Sequence, residues 1–77
     1  MAQPPSYPVP ADQWLQQIFD AKSARRGSVV RRKIRDIEMN VGLGRFRSEL
    51  KRRGYHAVEN GDQVVIFCNN QPIHLIC

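Results

Sequence analysis

No apolar run in this 77-residue chain approaches the roughly 18 residues that a membrane-spanning helix requires, so no membrane partner is expected. Cysteine is nearly absent. Cys68 and Cys77 are the only two, too few for a disulfide framework and without the close spacing of a zinc-ligand set. Cys68 lies in an apolar run and reads as a small core residue, with a Cys68–Cys77 bridge as the minor alternative. Histidine is equally scarce: His56 and His74 are the only two, and no metal site is expected. A glycine-rich phosphate loop is missing too. Gly42-Leu43-Gly44 places two glycines around one residue, which a turn between helices explains. No Ser/His/Asp order stands out, and the length leaves little room for a deep pocket, so neither an enzyme nor a small-molecule substrate or cofactor is expected. The start of the chain lacks the basic-then-apolar pattern of a signal peptide, and the expected location is the cytoplasm.

What the chain does have is positive charge, unevenly placed. All twelve Lys and Arg residues fall between Lys22 and Arg53, beside only three acids, Asp36, Glu38 and Glu49. Asp12 and Asp20 precede this stretch, and Glu59 and Asp62 follow it. The net charge of +5 therefore describes a basic middle with mildly acidic flanks. Such clustering favours an anionic partner, nucleic acid first among them. Arginine suits phosphate because its planar fork donates two parallel hydrogen bonds. The bland alternative is a set of merely solvated helix faces.

Taken in order, residues 1–10 hold four of the five prolines and read as a disordered Pro-rich lead-in. Residues 11–77 read as one small domain. A first helix is expected over 11–22, with Trp14, Leu15, Ile18 and Phe19 on one apolar face. Asp12 suits its N-cap or first turn. Ser23 to Ser28 reads as a flexible basic loop. Over 29–41, Val30, Ile34, Ile37 and Val41 share the face of a helix. The β-branched pair Val29-Val30 also admits a short strand at 28–32 feeding a helix, and the choice between helix and strand over 28–33 stays open. A third helix is expected over 43–53, with a Leu43/Phe46/Leu50 stripe, Glu49 pairing with Arg45 and Arg53, and Gly54 closing it.

The remainder reads as antiparallel sheet. Strands at 55–59 and 62–68 flank Asn60-Gly61, the signature of a type I′ hairpin turn. The unbroken Val64–Phe67 run suggests a strand covered on both faces. A third strand is expected at 73–76, entered through Pro72. Helices followed by strands make the fold class α+β: two to three helices packed on a small C-terminal antiparallel sheet.

Three helices followed by a hairpin resemble a winged helix. That resemblance implies that 43–53 enters a major groove with Arg45, Ser48 and Arg52 facing it, and that Asn60-Gly61 forms the wing tip. The chain departs from the usual helix-turn-helix pattern at Glu38, where a small residue is usual, and at Ser48 and Lys51, where apolar ones are. Glu49 to Tyr55, followed by a hairpin, also looks like the start of HicA-type toxins, small RNA-cleaving proteins with a double-stranded-RNA-binding-domain-like fold. That family places its working histidine on the strand after the hairpin turn. Here that strand has none, and the catalytic role does not carry over.

The expected function is therefore non-catalytic binding of nucleic acid, DNA or RNA, through a basic helical face. The candidate contacts are Arg31, Arg32, Arg35, Arg45, Arg47, Lys51, Arg52 and Arg53. The competing expectation is a protein-interaction module that forms a homodimer through a sheet edge. A third is a small ribonuclease using His56 or His74.

Overall fold

The computed structural model describes residues 10–77, so the expected lead-in over 1–10 lies, apart from Pro10, outside the described residues. The chain is organised around one strand near its end. In chain order the elements are α1 (Ala11–Asp20), α2 (Lys22–Arg25), β1 (Val29–Lys33), α3 (Ile34–Asn40), α4 (Leu43–Arg53), β2 (His56–Asn60) and β3 (Gln63–Phe67). The sheet order is β1-β3-β2 and both pairings are antiparallel. The α+β class is thus realised, among the described residues, as four helices and a three-stranded sheet.

The third strand is Val29–Lys33, not 73–76. β3 is the most apolar segment, and its two edges are taken by β1 and β2, with Val30 and Ala57 both opposite Ile66. A further backbone bond from Cys68 N to Ser28 O (3.0 Å) extends the β1 side. Residues 73–76 are left without strand partners and exposed. This also resolves the segment 29–41. Its β-branched start forms a strand with Val30 in the core, and its helix begins only at Ile34, where Ile37 is fully buried.

Three smaller expectations shift. Helix α1 stops at Asp20, because Ala21 is extended (φ −57°, ψ 145°), and the chain then makes the short turn α2, which buries Ala24 where a loop was expected. In the hairpin, the two central turn residues are Gly61 and Asp62, one position later than expected, since Asn60 pairs with Gln63. Only Gly61 has positive φ (60°), which excludes a type I′ turn and fits type II′, where glycine comes first. The shift also removes a clash of charge: Glu59 pairs with Val64 instead of facing Asp62. Finally, β3 is fully covered on one face only. Val64 and Ile66 are buried, while Val65 and Phe67 are half-buried on the other side.

One core joins the layers. Leu15, Ile18 and Phe19 from α1, Ile37 from α3, and Phe46 and Leu50 from α4 pack on Val30, Val64, Ile66 and Cys68 of the sheet side. Trp14, Ile34, Val41 and Tyr55 pack against its margin. Helix α4 ends in a left-handed glycine, Gly54 (φ 73°, ψ 24°), with Tyr55 N bonded to Leu50 O at 2.9 Å, which aims the chain back into β2. No helix among the described residues is long and apolar enough to cross a membrane.

Candidate functional site

Helix α4 carries five of the eight candidate basic residues and distributes them by helical geometry. At about 100° per residue, Phe46 and Leu50 define the buried side. Arg45, Ser48 and Arg52 fall opposite them and are exposed. Arg47 and Lys51 fall on the flank towards the sheet, and Glu49 and Arg53 on the flank towards α1.

The α1 flank is neutralised. Glu49, only 18% exposed, accepts bonds from Arg52 Nη2 (2.6 Å) and Nε (3.2 Å) and from Arg53 Nε (2.6 Å). The Arg52 guanidinium, followed by that of Arg53, holds the Glu49 carboxyl at about 2 against burial, which acts the other way. Arg53 is itself largely covered, and its guanidinium lies 4.3 Å from the centre of the Phe19 ring, which in turn meets Tyr55 at 5.6 Å. Arg45 does not pair with Glu49 as its spacing suggested; it pairs with Asp12 across the α1–α4 seam. Asp12 occupies the first turn of α1, but no side chain caps that helix.

The sheet flank keeps its charge. Arg47 and Lys51 line a cleft of about 440 Å³ between α4 and β2, together with Leu43, Phe46 and Leu50 of α4 and with His56, Ala57 and the one acid Glu59 of β2. Neither Arg47 nor Lys51 makes an ion pair among the described residues. The Ser48 hydroxyl, on the outward side, donates to Gly44 O at 3.1 Å within its own helix.

The other three candidates lie elsewhere. Arg31 is exposed on the face of the sheet away from the core, in the row Arg31–Val65–Val58. Arg32 points to the core side opposite Val64, is half-buried, and turns its Nη1 back to Arg31 O at 2.7 Å. Arg35 is in the first turn of α3, beside Lys33, Asp36 and Asp62 at the wing end of the sheet. The Ile34 N to Asp62 O bond (2.9 Å) ties that turn to the hairpin tip. The eight residues therefore do not form one face. Arg45, Arg47, Lys51 and Arg52 share the outside of α4, Arg53 is a packing residue, and Arg31, Arg32 and Arg35 belong to the β1–α3 corner.

For other chemistry the described residues provide little. No three His, Cys, Asp or Glu side chains gather as metal ligands would. Cys68 is buried and Cys77 exposed, both as free thiols; burial pushes the Cys68 thiol up, partly offset by nearby Arg53. His56 sits on the outer face of the sheet across from Phe67, and His74 lies in the exposed end segment. His56 is a residue that the basic-face reasoning missed: the turn-back at Gly54 brings the start of β2, His56 included, to the edge of the cleft that Arg47 and Lys51 line. Comparison with protein-family models, with curated proteins and with solved structures finds no match for this chain.

Proposed function

We propose that the chain binds nucleic acid without catalysis, with the outer and sheet-facing sides of α4 as the contact element. The observation that carries this reading is the segregation of charge on that helix. Its single acid is turned to the α1 seam, while Arg45, Arg47, Lys51 and Arg52 stay exposed. A helix of 11 residues is about 16 Å long, and the major groove of a DNA duplex, about 12 Å wide, admits such an element. A last helix followed directly by a hairpin also supports the winged-helix resemblance, with Gly61-Asp62 at the wing tip. In this reading Arg31 and Arg35 are secondary backbone contacts near that wing. The proposed setting is the reducing cytoplasm, which suits two unpaired thiols.

The experiment is fluorescence anisotropy with mixed-sequence duplex DNA, single-stranded DNA and RNA over a salt series. With about six phosphate contacts, the log–log slope on duplex DNA is about −5. Absence of salt-sensitive binding to every one of these probes sinks the reading. Hydrolysis of the RNA during the same incubation would favour the ribonuclease alternative.

A further inference from the structure

Two features of the fold are incomplete in a way that each could correct in the other. The first is the segment 72–76, Pro-Ile-His-Leu-Ile. It belongs to no helix or strand and makes no backbone–backbone hydrogen bond among the described residues, and Ile73, Leu75 and Ile76 are 43%, 91% and 98% exposed. The second is the outer edge of β2. Among the described residues that strand pairs only with β3, and beside its other edge lies the cleft under α4, lined by Leu43, Phe46, Leu50 and Ala57. Neighbouring Leu43 and Val58 are among the few large apolar side chains left well exposed.

We infer that two copies of this chain exchange these elements, segment 72–76 of each adding as a fourth strand to the β2 edge of the other, with Ile73 and Leu75, which share one face of a strand, directed to the cleft. Strand addition of this type uses main-chain hydrogen bonds for affinity and pockets for alternate side chains. The lengths agree: five residues of extended chain, about 17 Å, face the five residues of β2. Each copy carries one donor and one acceptor, so the exchange closes as a two-fold dimer and leaves neither element unpaired.

The choice of edge and of a second copy both follow from the structure. The opposite edge, β1, carries Arg31, Arg32 and Lys33 in succession, a charged guard against pairing. β2 carries no Lys or Arg. Return of the segment to its own β2 is opposed by its anchor. Asn69 Nδ2 donates to Gly27 O (2.9 Å), Gln71 N donates to Asn69 Oδ1 (3.0 Å), and Asn70 lies against Gly54. Only Pro72 separates this anchor from Ile73, and it stiffens the exit of the exposed apolar residues.

The test is light scattering coupled to size exclusion, from low micromolar to near millimolar chain, with no nucleic acid present. The expected result is the mass of two chains. Truncation after Gln71, and the double substitution Leu75→Asp with Ile76→Asp, each raise the dimer dissociation constant by at least about tenfold. Circular dichroism of the dilute, monomeric chain stays unchanged, because those side chains are exposed in the single chain. Leu43→Asp, at a helix start that accepts an acid, weakens the dimer from the cleft side. Three results overturn the proposal: a monomer at every concentration, a dimer that survives truncation, or concentration-independent protection of 73–76 from hydrogen exchange. The last would mean docking within one chain. Nucleic-acid affinity is not needed for any of these outcomes; because Arg47 and Lys51 line the same cleft, the partner strand and a nucleic acid compete for the sheet-facing side of α4.

Discussion

Arg47 and Arg53 stand six positions apart on one helix, yet burial gives them different work. Arg53 is 24% exposed, bonded to Glu49 and stacked on Phe19, so its stem and guanidinium complete the core margin. Arg53→Ala is expected to lower stability by about 1 kcal/mol, mainly through the lost cation–π contact, as read by urea denaturation. Arg47 and Lys51 are exposed and unpaired among the described residues. Their joint replacement by alanine leaves the urea midpoint in place and reduces the salt slope of nucleic-acid binding by about 2. Equal loss of binding in both variants would contradict this division. Glu49 supplies a pH signature. Its carboxyl is held at about 2 in the fold against an ordinary 4.5. The stability that it contributes is complete above 4.5 and is lost as pH falls through about 2. Glu49→Gln is therefore less stable than the parent near neutral pH, and the difference closes in strong acid. A gap that stays constant down to the acid limit would refute the assignment.

At the scale of the element, two glycines separate conformational need from tolerance. Gly61 holds φ 60° at the first central position of the hairpin turn, with open space around it. Alanine there meets no neighbour but must adopt a backbone that L-residues avoid, at about 1–2 kcal/mol. Gly44 lies within α4 at ordinary φ, and an added methyl group also meets open space. Gly44→Ala should stabilise by about 0.4–1 kcal/mol by restricting the unfolded chain. Thermal melts of the two variants should move in opposite directions. The same hairpin shows why local signals placed the turn but not its register. Asn-Gly marked the position, while avoidance of facing carboxylates and the pairing of Asn60 with Gln63 moved the central pair one residue on.

At the scale of the molecule, a domain of this length buries only about 60% of its unfolded surface and has little stability to spare. Ile66 is fully buried in the central strand between Val30 and Ala57. Ile66→Ala is expected to cost about 2–5 kcal/mol, enough to leave much of the chain unfolded by circular dichroism. The periodicities of α1 and α4, the Gly54 stop, the hairpin and the basic middle were all legible in the sequence, because each is set by residues within a few positions of one another. The identity of the third strand was not. Val29–Lys33 and 73–76 both offered β-branched or apolar residues, and the choice between them depended on which reached the open edge of β3, more than thirty residues from β1 in the chain. The basic face was half legible for the same reason. Sequence by itself determined that twelve cations lie between Lys22 and Arg53 and that Phe46 and Leu50 turn inward. Only the tertiary structure decided which cations are paired and which is packed, since Asp12, Glu49 and the Phe19 ring had to be brought against α4 before Arg45, Arg52 and Arg53 could be told from Arg47 and Lys51. Charge is a property of the residue, but its neutralisation depends on contacts that folding creates.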